Sequence, residues 1–266
     1  MAKNSEVQSL SRAIAILRIF SLEDPELGVT EISRRVGLHK STTFRLLSTL
    51  IAEGLVAQNP ATGQYRLGIG LVELAGRVQV FTGIRQAARR YIQALAQEQG
   101  GTVNLAVLEG GMSLNLEQAV PRGYLVNNYG WVGRRTPLHA TSTGKVLLSG
   151  LTHPEFAATI ELPLESFTPN TITDPEVLQD ELLNIGIAGY AIGHEEYEIG
   201  LNAVAAPIRN SKGSVVAALS VSGPAYRLLP ENFETVAQAV IRTASQISAE
   251  LGQVVTSERQ VGLNPP

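Results

Sequence analysis

The segment SLSRAIAILRIF, Ser9 to Phe20, repeats apolar residues at helical spacing. The phase through Leu10, Ile14 and Leu17, with Ala13 and Phe20 alongside, predicts an amphipathic helix that buries that stripe. Asp24, Pro25 and Gly28 then break the chain. VTEISRRVGL predicts a short helix from Thr30 to Val36 that buries Ile32 and Val36 and stops at Gly37. One turn later LHKSTTFRLLSTL, Leu38 to Leu50, begins a third helix with two distinct faces. At about 100° per residue, Thr43, Leu46, Leu47 and Leu50 gather on one side, and Ser41, Phe44, Arg45 and Ser48 on the other. Leu55–Gln58 and Gln64–Leu67 flank the turn-rich NPATG and predict a β-hairpin.

The remainder mixes both periods. Gly68–Val80 has Leu71, Leu74, Ala75 and Val78 at helical spacing, and a further helix is predicted from Ile84 to Gly100. TVNLAVLEG (102–110) and MSLNLEQAV (112–120) read as strands around a Gly-Gly turn. GLNAVAAPI (200–208) and VVAALSVSG (215–223) flank RNSKG in the same way. Glu231–Leu251 places Phe233, Val236, Val240, Ile241, Ala244, Ile247 and Leu251 on one helical face. Strand pairs with covering helices predict an α+β fold for this part. The expected organisation is a helical, hairpin-bearing domain over residues 1–67 and a linker helix over 68–82. An α+β domain over 83–254 and a tail over 255–266 follow.

Composition adds boundaries. With 44% hydrophobic and 17% charged residues the chain is globular rather than disordered. No run approaches the ~18 apolar residues of a membrane span, and MAKNSEVQSL lacks a signal-peptide core, so a cytoplasmic protein without a membrane partner is expected. Zero cysteines exclude disulfides and thiolate chemistry, and the four histidines are scattered, so neither a metal nor a cofactor is expected.

Charge is divided unevenly. Residues 1–80 hold nine Lys/Arg and seven acids, residues 81–266 twelve and seventeen, and Thr30–Arg66 five and two. Since DNA affinity follows local phosphate neutralisation, the net charge of −3 does not argue against a DNA reader in the first part. A helix face with one cation, two small hydroxyls and an aromatic differs from a merely solvated Glu/Lys face. Lys40, Ser41 and Thr42 occupy the first turn, where open backbone N–H groups attract phosphate. Short helix, glycine turn and longer helix form a helix-turn-helix pattern, and the hairpin after it makes it winged. Arg66 falls on that wing, while Tyr65 is expected to pack. The plainer alternative is a three-helix unit with a solvated face.

Motifs for catalysis are weak. HATSTGK (139–145) lacks the leading glycine of a phosphate loop, HEEYE (194–198) lacks the second zinc-binding histidine, and no Gly-x-Ser-x-Gly elbow occurs. Glu195, Glu196 and Glu198 are expected in a solvated turn, and no catalytic residue is assigned. Thr141, Ser142 and Thr143 supply hydroxyls ahead of the helix-competent Lys145–Leu148. That start is either an ordinary N-cap or an anion seat.

SLSRAIAILRIF and LGVTEISRRVGLHKSTTFRLLSTLIAEGLVAQNPATGQYRLG resemble the amino-terminal domain of IclR-type bacterial transcriptional regulators. WVGRRTPLHATSTGKVLL, FTPNTITDPEVLQDEL, GYAIGHEEYEIGLNAVAAPI and VVAALSVSGP are similar to the effector domain of that family. The resemblance implies a winged helix-turn-helix joined by a helix to a GAF-like α+β domain, working as a repressor on a palindromic double-stranded operator. It implies a homodimer, often paired into a tetramer, and no enzyme. It places Lys40, Ser41, Thr42, Phe44, Arg45, Ser48 and Arg66 at DNA. It also places Thr141, Ser142, Thr143, Gly193, Leu201, Ala203, Ser220 and Ser222 around a small organic or aromatic acid. Ser220 and Ser222, two apart on one strand, share a sheet face.

Four positions depart from the family pattern: His39 for a common proline, Phe44 for a polar residue, Gly193 for an acid and Ala203 for cysteine. The last two remove polar atoms and bulk, which predicts a neutral or larger, aromatic ligand rather than a very small hydroxy- or keto-acid. Two rival classes are an enzyme tethered to a DNA-binding module and a winged helix that binds protein partners.

Overall fold

The computed structural model describes residues 7–21, 23–78, 81–122 and 130–261, with side chains placed to 252. The chain divides into two compact units, Met1–Val80 and Phe81–Pro266. The first carries α1 (Gln8–Arg18), α2 (Val29–Val36), α3 (Lys40–Ala52), a hairpin of β1 (Val56–Gln58) and β2 (Tyr65–Leu67), and α4 (Gly70–Gly76). Gly37, in the left-handed region at φ 66°, ends α2 and returns its N–H to the helix, a conformation that glycine adopts without steric cost. The core joins Ile16, Phe20, Leu27, Ile32, Leu47, Leu50, Val56 and Tyr65. Tyr65 is therefore a packing residue, and each such aliphatic side chain removed from water contributes roughly 1.5–3 kcal/mol.

Two expectations are corrected in this unit. On α1 the buried side runs through Ala13, Ile16, Leu17 and Phe20, while Leu10 and Ile14 stand 60% and 40% exposed. The segment holds two overlapping apolar stripes, and packing rather than periodicity selects the one containing Ile16. The predicted Gly68–Val80 helix is shorter, spanning Gly70–Gly76; residues 79 and 80 lie outside the described residues.

The second unit contains α5 (Thr82–Gln99), β3 (Thr102–Glu109), β4 (Met112–Ala119), β5 (Arg135–Thr136), α6 (Ser142–Ser149) and α7 (His153–Thr159). These are followed by α8 (Pro175–Ala188), β6 (Ala191–His194), β7 (Leu201–Arg209), β8 (Val215–Pro224) and α9 (Phe233–Val261). Six strands form one antiparallel sheet in the order β5-β4-β3-β8-β7-β6. Both predicted strand pairs are present, now joined edge to edge because β3 also pairs with β8.

Alternation sorts the two faces of the sheet. Val103, Leu105, Val107, Val204, Ala206, Leu219 and Val221 pack with residues of α5 and α9. On the opposite face Ala191, Ala205 and Ala218 pack with Leu147, Leu148, Leu178 and Ile185 of α6 and α8. Asn104, Ser220, Ser222 and Ala203 alternate onto that second face, with Asn104 opposite Ser220, Ser222 opposite Ala203, and Ala203 opposite Gly193. The last helix runs to Val261, so residues 255–261, expected in a tail, are helical; 262–266 lie outside the described residues.

Candidate nucleic-acid interface and ligand cavity

The third helix presents its two faces as its sequence predicts. Thr43, Leu47 and Leu50 are buried and Leu46 half-buried, while Ser41, Phe44, Arg45 and Ser48 are exposed. Phe44 is 57% exposed, a large apolar ring held in water beside hydroxyls and a guanidinium. His39 occupies the N-cap, where its Nδ1 accepts from Ser41 N–H at 3.5 Å and lies 3.0 Å from Ser41 Oγ. The residue that departs from the usual proline therefore holds the helix start, though by a long bond. Ser48 Oγ donates to Phe44 O at 3.0 Å.

Charges in the unit are sorted. On α2, Glu31 accepts from Arg34 and Arg35, which hold its carboxyl down at about 2, and Arg35 also meets Asp24 at 2.9 Å. Lys40 and Arg45 make no ion pair among the described residues, so their charge faces outward unneutralised. Arg66 lies on the outer wing strand, with Glu26 at 3.8 Å, too loose to neutralise it fully. Thr42 sits half-buried in the first turn of α3.

In the second unit a small cavity, partly open to solvent, lies between the sheet and the start of α6. All eight expected residues line it: Thr141, Ser142, Thr143, Gly193, Leu201, Ala203, Ser220 and Ser222. The helix start is both readings at once. Thr141 is a true N-cap: its Oγ1 accepts from Gly144 N–H at 3.2 Å and donates to Pro137 O at 2.9 Å. Thr143 Oγ1 is taken by Ser113 Oγ at 3.2 Å. Two of the three hydroxyls expected for the ligand are thus committed to the fold, whereas the N–H groups of Ser142 and Thr143 have no partner among the described residues and remain available to an anion. Gly144 makes the approach possible, since a Cβ there would lie 2.3 Å from Leu138 O.

Sequence reasoning missed half of the wall. Asn104, Asn115, Trp131, Thr136, Glu196 and Tyr197 also line the cavity. Trp131 stands edge-on to Tyr197 at 6.4 Å, and Tyr197 leans on Phe167 at 5.3 Å, giving an aromatic side. Asn104 and Asn115 lie on the sheet face opposite the helical core, where Asn104 pairs with Ser220 and Asn115 with Ala106.

The expectation that Glu196 lies in a solvated turn is overturned. Its carboxylate is buried, with Oε1 accepting from Lys145 Nζ at 2.8 Å and His194 N–H at 3.3 Å. Lys145, 1% exposed, also reaches Glu181 at 3.1 Å. Burial pushes the Glu196 carboxyl above its usual range, and Lys145 opposes that shift. Thr168 and Thr171 fix the turn by donating to the carbonyls of Glu195 and Glu196. His194 is exposed, edge-on to Phe233, and His139 is buried with its Nε2 2.8 Å from Glu165 O. Among the described residues no group of three His, Cys, Asp or Glu is placed to hold a metal, and no helix is long and apolar enough to cross a membrane.

Two family models match the chain: the IclR helix-turn-helix domain over residues 9–60 and the bacterial transcriptional regulator IclR C-terminal domain over residues 78–249. The HTH-type transcriptional regulator XynR of Escherichia coli (strain K12) is 39% identical over 217 residues, 81% of this chain and 86% of its own. The HTH-type transcriptional repressor AllR of Klebsiella pneumoniae is 36% identical over 246 residues, 92% of this chain and 90% of its own. A crystal structure of an IclR homolog from Microbacterium hydrocarbonoxydans complexed with 4-hydroxybenzoate superposes with a TM-score of 0.79 at 31% identity, over 91% of this chain and 98% of that one.

Proposed function

Because this chain belongs to the IclR family of bacterial transcriptional regulators, we propose that α3 reads an operator and that the cavity beside α6 binds the effector controlling it. The chain is a DNA-binding, ligand-responsive regulator, of a family of regulators rather than enzymes. Arg45 and Ser41 read base edges, Phe44 and Ser48 flank them, and Lys40, Thr42 and Arg66 hold phosphates. The observation that carries this is the outward face of α3, where Lys40 and Arg45 make no ion pair among the described residues while the arginines of α2 pair with Glu31 and Asp24.

One short helix covers few base pairs, so the operator is read by a symmetric dimer, with dimers pairing into a tetramer. The exposed Leu10 and Ile14 on the outer side of α1 support self-association. Repression is the mode we assign, since the AllR relatives are named repressors. The effector is a small organic acid, as the homolog complexed with 4-hydroxybenzoate supports, and its carboxylate takes the N–H groups of Ser142 and Thr143. The site of action is the cytoplasm, where the DNA is.

Titration of a duplex selected from random sequence, at increasing salt, tests the DNA reading. Tight binding that falls steeply with salt and discriminates against scrambled duplex is expected; salt-independent or sequence-blind binding sinks it. No observation favours the tethered enzyme or the protein-binding winged helix over this reading.

A further inference from the structure

Resting on the effector reading above, we infer that the cavity selects carboxylic acids bearing hydroxyl groups, and that Glu196, held by the buried Lys145, is the residue that demands them. The carboxylate end of the ligand is provided for by the open N–H groups at the start of α6. Gly193 keeps that seat accessible, because a Cβ there would come within 3.3 Å of Ser142 N. The rest of the cavity has a different requirement. Three side-chain oxygens of lining residues are buried without any hydrogen-bond partner among the described residues: Glu196 Oε2, Asn104 Oδ1 and Asn115 Oδ1. All three residues are only 7% exposed.

Such atoms are rare in folded proteins and costly when left unmatched. Glu196 shows the point most sharply. Its Oε1 takes two donors while Oε2 takes none among the described residues, so the side chain is anchored on one oxygen and the other is left unmatched in a residue that lines the cavity. Asn104 is likewise fixed through Nδ2 to Ser222 Oγ at 3.3 Å, with its oxygen left over. A benzoate-like acid with no donor leaves each of these buried oxygens unmatched. A hydroxyl satisfies them, and it serves Glu196 in either protonation state, donating to the carboxylate or accepting from the acid. The polar atoms absent at Gly193 and Ala203 are thus supplied elsewhere in the wall, which narrows the expected ligand to one that carries a hydroxyl donor.

Calorimetric titration of the full chain with matched pairs of acids tests this: glycolate against acetate, 4-hydroxybenzoate against benzoate, gluconate against hexanoate. In at least one pair the hydroxylated member is expected to bind on the order of 10–100-fold tighter, the effect of one unmatched buried acceptor. Glu196→Leu removes the acceptor while leaving Lys145 its contact with Glu181, and the ratio should collapse toward unity. Asn115→Leu is the second variant, near-isosteric and with no side-chain hydrogen bond among the described residues to lose. It is expected to fold at least as stably by circular dichroism and to lower the ratio as well. Equal binding of both members, or a ratio that survives both substitutions, overturns the inference while the cavity remains an acid site. Failure of every acid to bind overturns the effector reading itself, and this inference with it.

Discussion

Lys145 Nζ, on a side chain 1% exposed, lies 2.8 Å from Glu196 Oε1, joining the core of α6 to the wall of the cavity. A buried pair of this kind is sensitive to losing one partner. Lys145→Ala is expected to destabilise the protein by about 3–5 kcal/mol, because it leaves Glu196 buried without its counter-charge. Lys145→Met combined with Glu196→Gln, which removes both charges, should cost far less. Urea unfolding of the full chain measures both, and a loss below about 1 kcal/mol for Lys145→Ala would assign the pair no structural weight.

Arg45 and Lys40 should separate by kind of contact. Arg45→Ala is expected to weaken operator binding by about 1–3 kcal/mol and to relax discrimination at one base position. Lys40→Ala should weaken all duplexes alike and lower the salt slope by about 1. Affinities measured across salt and a set of single-base operator variants distinguish the two; identical behaviour contradicts the assignment.

The long bond from His39 to Ser41 sets stability against DNA binding. His39→Asp supplies a shorter, charged acceptor at the N-terminus of α3 and should raise thermal stability by up to about 1 kcal/mol. The same charge beside phosphate should weaken DNA binding. A variant that is both less stable and equally tight on DNA would remove His39 from the capping role.

Glu31 links stability to acid. Hydrogen bonds from Arg34 and Arg35 lower its carboxyl from 4.5 to about 2, so its contribution is present above about pH 4.5 and lost as pH falls through about 2. Melting of wild type and Glu31→Gln should differ at neutral pH and converge near pH 2. A difference independent of pH contradicts this account of the clamp.

Much of the molecule was legible where a residue pattern has one physical solution. The third helix could turn only one way, because Thr43, Leu46, Leu47 and Leu50 bury together and Arg45 does not. The four long strands followed from their alternation and from glycine-bearing turns. The phase of α1 was not legible, because Leu10 and Ile16 belong to two equally apolar stripes and only contact with the rest of the core chooses between them. Glu196 was illegible for a related reason. HEEYE looks solvated until Lys145, fifty-one residues earlier, is brought beneath it. The cavity residues Ser220 and Ser222 came from resemblance and strand period, whereas Asn104 and Asn115 needed the neighbouring strands to show which face they share.

The central claim is that occupancy of the cavity changes affinity for DNA. Fluorescence anisotropy of a labelled operator duplex, titrated with the full chain with and without a saturating acid that the cavity binds, tests it most directly. The account predicts a shift in DNA affinity of about 5- to 150-fold, and predicts that Ser222→Phe, which fills the cavity, keeps DNA binding and loses the shift. An operator affinity unchanged at saturating acid, or a shift that persists in Ser222→Phe, would contradict it.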